Sequence, residues 1–145
     1  MKITELGHLA LTCRDLDASL SFYRDILGLK EKFCLYYDDI GQTVSGDRRW
    51  IVYMQVDDRT FIELFNGDYN APPLCGQPLG FQHLALIVED IMALRDELAA
   101  KGAPIDAEPS LGCDQTWQMW SHDPDGNKIE FMQYTDRSFQ KVGRN

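Results

Sequence analysis

"HLALTCRDLDASLSFYRDILGL", residues 8–29, decides how this chain is read, because the chain says much of it again as "HLALIVEDIMALRDELAAKG", residues 83–102. The opening tetrapeptide returns 75 positions later (83 − 8 = 75), and an aspartate, Asp15 or Asp90, follows each histidine by seven residues. The sequence holds three histidines, and this repeat uses two of them. Self-similarity over most of a short chain signals a duplicated structural unit.

Each copy opens with alternation, the pattern of a half-buried strand. Leu9 and Leu11 point one way and His8, Ala10 and Thr12 the other; Leu84, Leu86 and Val88 oppose His83, Ala85 and Ile87 in the same manner. A helix of about three turns follows in each. In the first, Asp15 or Asp17 caps, Leu16, Leu20, Tyr23 and Leu27 form the stripe, and Gly28 supplies the left-handed stop. In the second, Asp90 caps, Ile91, Leu94 and Leu98 form the stripe, and Gly102 closes. Strands are then expected over 30–38, 48–57 and 59–65, and, in the second copy, near Ile105 and over 115–123 and 127–134. The last two flank "DPDG", a tight turn. Strand, helix and three strands, twice, is an α+β arrangement: two βαβββ modules with helices on one face of each sheet. The expected organisation is a first module over 1–66, a Gly/Pro/Asn-rich linker over 67–80, a second module over 81–135 and a C-terminal tail over 136–145.

Composition narrows the function classes. The chain has 145 residues, 44% of them hydrophobic and 26% charged, values of an ordinary globular protein with a real core. Fourteen basic against 23 acidic residues give a net charge of −9, which argues against nucleic acid or an anionic membrane as partner. No apolar run approaches a spanning helix, and "MKITELGH" lacks the apolar core of a signal peptide. Cys13, Cys34, Cys75 and Cys113 are scattered without a Cys-x-x-Cys pair and read as reduced thiols of a cytoplasmic protein.

The last strand of each module carries one glutamate among apolar residues, Glu63 in "FIELF" and Glu130 in "KIEFM". Alternation sets Ile62 and Leu64 opposite Glu63, and Ile129 and Phe131 opposite Glu130, so His8, Glu63, His83 and Glu130 all fall on the face away from the helices. Taken singly, each is more often a core or solvated strand residue; their matching places in two copies favour a joint role. Two carboxylates brought together in a partly apolar cup repel, and a divalent cation removes the difficulty. Two imidazoles and two carboxylates suit Ni²⁺, Co²⁺, Zn²⁺, Fe²⁺ or Mn²⁺ and leave two octahedral positions open for water or substrate. His122 reads as a turn or rim residue. The aromatic stretches 50–54 and 116–120 read first as packing and second as pocket lining, and Arg48 and Arg49 as a solvated loop edge.

With "FIEL" and "DPDGNKIEF" added to the repeated stretch, the sequence resembles the vicinal oxygen chelate superfamily over about residues 3–134. Its members include glyoxalase I, methylmalonyl-CoA epimerase, extradiol dioxygenases, fosfomycin-resistance enzymes and metal-free bleomycin-binding proteins. The resemblance implies curled mixed sheets around an open metal-binding cup, in small members often shared between modules of two chains of a homodimer. It implies one divalent metal per site (Ni²⁺ favoured, Zn²⁺ or Co²⁺ possible), held by His8, Glu63, His83 and Glu130. That ligand set looks most like bacterial glyoxalase I, lactoylglutathione lyase. The implied reaction turns the hemithioacetal of methylglyoxal and a glutathione-like thiol into a lactoyl thioester through a metal-bound enediolate. Glu130 is the implied base and Glu63 its mirror partner. The resemblance also leaves room for an epimerase, an Fe²⁺ dioxygenase or a metal-free binding protein. Thr12 and Arg14 replace the family's thiol-binding arginine pattern imperfectly, and Asn66 its asparagine; with Trp117 and Trp120 they complete the substrate-binding candidates.

Overall fold

The computed structural model describes residues 5–67 and 81–143. The chain divides into two compact units, Met1–Pro72 and Pro73–Asn145. Beyond Gly67, the linker expected over 67–80 lies outside the described residues.

The first unit begins with β1 (His8–Cys13) and a helix α1 (Leu16–Leu20) that runs on as a π-helical segment, Ser21–Ile26. Strands β2 (Lys30–Tyr36), β3 (Arg49–Gln55) and β4 (Phe61–Asn66) complete it. The sheet order is β1-β4-β3-β2, with β1 parallel to β4 and the other pairs antiparallel. The second unit repeats this as β5 (Leu84–Ile87), α2 (Ile91–Ala100), β6 (Ala107–Leu111), β7 (Trp117–His122) and β8 (Lys128–Gln133), in the order β5-β8-β7-β6. A four-residue helix, α3 (Phe139–Val142), follows. Two four-stranded mixed sheets with few helices are the α+β modules expected.

Local chemistry fixes the helix ends as read from sequence. Of the two candidate caps, Asp15 accepts from the Ala18 amide at 3.1 Å, and Asp90 accepts from Met92 and Ala93 at 3.0 Å. Gly28 and Gly102 take φ of +76° and +72° just past the helices. The π-helical segment departs from the expected stripe. Its wider turn buries Phe22 beside Tyr23, where a strict 3.6-residue period placed only Tyr23.

Three strand expectations shift. The segment expected to extend to residue 38 ends at Tyr36, where a 3₁₀ turn, Tyr37–Ile40, is closed by Asp39 accepting from the Tyr36 amide. The strand expected near Ile105 lies instead over Ala107–Leu111 and contains Pro109. Proline is tolerated there because β6 is an edge strand whose pairing with β7 shifts register between Ala107 and Ser110. Arg49, expected on a solvated loop edge, opens β3 and is gripped by Asp47 and by Asp17 at 2.8 Å.

Burial follows the alternation. Leu11, Cys13, Ile62, Leu64, Val52 and Met54 join Leu16, Leu20, Phe22 and Tyr23 in the first core. Ile129, Phe131 and Met119 join Ile91 and Leu98 in the second. The opposite face of each sheet carries the residues of functional interest.

Candidate metal-binding half-sites

Parallel pairing of the first and last strand puts Ala10 opposite Glu63 and Ala85 opposite Glu130. Each histidine stands two residues before that alanine. An alanine beside the carboxylate leaves the imidazole room to lean over it. His8 Nδ1 lies 3.5 Å from Glu63 Oε1, and His83 Nε2 lies 3.2 Å from Glu130 Oε2. Sequence placed these residues on matching faces; the structure shows each pair in contact within its own unit.

The two pairs sit in different surroundings. Glu63 is 8% exposed and its histidine 56%, whereas Glu130 and His83 are 12% and 30% exposed. The next strand supplies a cross-strand neighbour to each glutamate, Tyr53 in β3 and Trp120 in β7. Burial raises the Tyr53 phenol above its ordinary range, and the hydrogen bond and negative charge of Glu63 raise it further. Tyr53 stacks on Phe33, with ring centres 4.1 Å apart, and meets Phe61 edge-on. Trp120 meets the His83 ring edge-on at 4.9 Å. Sequence reasoning held Trp120 as a candidate and passed over Tyr53, although both lie in the aromatic stretches; the missing signal was the cross-strand register.

The donor chemistry fits a divalent ion. Two atoms bonded side by side to one ion at roughly 2.1 Å stand about 3 Å apart, close to the spacing within each pair. His83 Nδ1 is buried without a hydrogen-bond partner, so one side of that ring is unused by the surrounding protein. Among the described residues no group of three or more His, Cys, Asp or Glu is gathered that could hold a metal, and each unit contributes a pair.

The remaining candidates fall elsewhere. Thr12 is exposed on the His8 side of β1, four residues along. Asn66 shares its side of β4 with buried Ile62 and Leu64, and its amide donates to the Arg49 carbonyl at 3.0 Å. Arg14 and Asn66 line a hollow of about 300 Å³ with Asp17, Asp47, Arg49 and Gly67 at the end of the sheet. Trp117 shares the helix-facing side of β7 with buried Met119, the side away from Trp120. His122 is the last residue of β7, and its Nδ1 meets both oxygens of Asp106 at 2.8 and 2.9 Å. It is an oriented, half-exposed side chain at the end of the strand, beside the turn that follows. Cys13 is buried, Cys34 half-buried and Cys113 exposed, and none of the three is in a disulfide, while Cys75 lies outside the described residues.

Comparison with known proteins agrees with this architecture. Residues 5–131 match the Glyoxalase/Bleomycin resistance protein/Dioxygenase superfamily. A "Probable lactoylglutathione lyase" of Synechocystis sp. is 32% identical over 133 residues, covering 91% of this chain and 97% of the relative. An "Ethylmalonyl-CoA/methylmalonyl-CoA epimerase" of Cereibacter sphaeroides is 30% identical over 132 residues, covering 86% of this chain and 92% of the relative. The crystal structure of SMU.1112c superposes with a TM-score of 0.74 at 26% identity, covering 90% of this chain and 99% of that one. The chain belongs to the glyoxalase/bleomycin resistance protein/dioxygenase superfamily.

Proposed function

We propose that this protein is a metal-dependent lyase/isomerase of the glyoxalase I type, acting in the cytoplasm as a homodimer. In this reading His8 and Glu63 of one chain and His83 and Glu130 of its partner hold one divalent ion, Ni²⁺ first and Zn²⁺ or Co²⁺ next. The observation that carries the proposal is the duplicated imidazole–carboxylate pair, at 3.5 and 3.2 Å in equivalent strands of two units. The ion, when bound, supplies a Lewis acid for negative charge developing on substrate oxygen.

The remaining chemistry belongs to side chains. A carboxylate on the sheet face takes the proton from a carbon next to a carbonyl and returns it to the adjacent carbon. Glu130 is assigned that transfer and Glu63 the supporting position. Tyr53 and Phe33 give an aromatic lining to the sheet face beside Glu63, and Trp120 does so beside Glu130 in its own sheet.

One observation favours a second substrate class for the same proton shift. Asn66 is engaged with the Arg49 carbonyl on the other side of β4, so the thiol contact implied by resemblance is not assembled beside Glu63. An acyl-CoA carrying an acidic α-proton is then the alternative, with a proton returned to the opposite face of the same carbon. Protein loaded in turn with Ni²⁺, Co²⁺ and Zn²⁺ should raise thioester absorbance from methylglyoxal and glutathione. Failure with all three, together with α-deuterium exchange into methylmalonyl-CoA, transfers the assignment to the epimerase. Failure of both reactions rejects it.

A further inference from the structure

We propose that Tyr53 is a positioning residue that fixes Glu63 through its hydroxyl, making the two duplicated half-sites unequal. This rests on the metal-site reading above and adds to it a residue outside the repeated His/Glu frame. Tyr53 is the direct cross-strand neighbour of Glu63 in the β3–β4 register, so the phenol and the carboxylate stand side by side on one face of the sheet. Its ring is itself held on two sides, stacked on Phe33 at 4.1 Å and edge-on to Phe61 at 6.1 Å. A hydroxyl on a clamped ring is a preorganised donor, with little freedom left to lose when it engages the carboxylate.

The equivalent place in the second unit is taken by Trp120, opposite Glu130. Its ring packs edge-on against His83 at 4.9 Å. Among the described residues the only polar side chain meeting Glu130 is His83. The duplication has therefore diverged in a complementary way. The first unit fixes its acid and leaves its imidazole 56% exposed; the second packs its imidazole and leaves its acid without a second donor. A carboxylate that must swing toward a substrate proton and back gains from that freedom, while one that serves as a fixed support gains from the hydroxyl. Tyr53 thereby separates the roles of two glutamates that the strand pattern alone makes equivalent.

Exchanging the two residues tests this. The full chain is prepared as wild type, Y53F, W120F and W120Y, and Co²⁺ affinity is measured by competition with a chromogenic chelator. Y53F keeps the ring and removes the donor, so Co²⁺ should bind about tenfold more weakly, the loss expected for one charge-assisted hydrogen bond. The visible spectrum of the cobalt-loaded protein should also change. W120Y brings a hydroxyl to Glu130, and W120F is its reference without one. In the methylglyoxal–glutathione assay, kcat of W120Y should fall at least tenfold below W120F with KM within twofold. Y53F that binds Co²⁺ with unchanged affinity and spectrum overturns the proposal, as does W120Y turning over like W120F. Wild type that binds Co²⁺ but converts neither substrate class sinks the enzymatic reading alone, because the cobalt comparison of Y53F with wild type still decides the role of Tyr53. Wild type with no affinity for Co²⁺ overturns both.

Discussion

Asp123, at the start of "DPDG", is 2% exposed and anchors the turn before β8. Its carboxylate accepts from the amides of Asp125 and Asn127 and from the Asn127 side chain, at 2.9–3.0 Å, while Gly126 takes a φ of +84°. Replacing Asp123 by alanine orphans these donors at the mouth of the strand that carries Glu130. The expected cost is about 2–3 kcal/mol, read as a lower urea midpoint with unchanged slope. Asp123→Asn keeps one acceptor oxygen and should recover part of that loss; a variant as stable as wild type would remove the carboxylate from this role. At this scale the sequence was informative where a pattern recurs. That His8, Glu63, His83 and Glu130 take matching places on equivalent strands was legible because two copies repeat them alike. The cross-strand places of Tyr53 and Asn66 were not, because they follow from which strand neighbours which, and a single sequence does not print register.

Elements divide along the same line between local and long-range causes. The helices were readable since Asp15, Asp90, Gly28 and Gly102 act within a few residues of themselves. Strand β6 was misplaced because an edge strand with a register shift can carry Pro109 and little apolar content. The C-terminal helix α3 has no periodicity to read, and its order comes from distant partners. The Phe139 amide donates to the Asp114 carbonyl at 2.9 Å, and the Thr135 and Ser138 hydroxyls donate to the Gln115 carbonyl at 2.8 and 3.1 Å. The Thr116 hydroxyl donates to Gln140 Oε1 at 2.8 Å, and Gln140 Nε2 donates to Asp114. Gln115 holds a φ of +64°, an uncommon conformation for a residue with a side chain, within this set of bonds. Ending the chain after Thr135 should therefore destabilise the protein by about 2–4 kcal/mol. Amide exchange should rise first over 112–116; equal protection of that loop in the truncated and full chains would show that the tail contributes nothing to it.

For the whole molecule, acid behaviour follows from how the carboxylates are held. The Arg49 guanidinium hydrogen bond keeps Asp47 below the usual carboxylate range. Backbone amides of Arg59 and Thr60 do the same for Asp57, and chiefly the Gln140 side chain does so for Asp114. Each is a depressed folded-state pKa, so the unfolded chain binds more protons than the folded one as pH falls. The stability these groups contribute is complete above the unfolded carboxylate value of about 4 and is lost as pH drops through their lower folded values. The urea midpoint should hold steady from pH 7 to about 5 and fall below about 4. Asp47→Asn should flatten part of that fall, and added salt should flatten it further, because the Asp47–Arg49–Asp17 cluster is partly open to solvent. The Asp57 contribution should resist salt, since neutral amides supply it. A midpoint that stays level to pH 2.5, or an Asp47→Asn profile superimposable on wild type, would contradict the assignment. Asp47 and Asp17 fasten the start of β3 to the helix that follows β1, so acid should loosen the first unit at the strand that carries Tyr53.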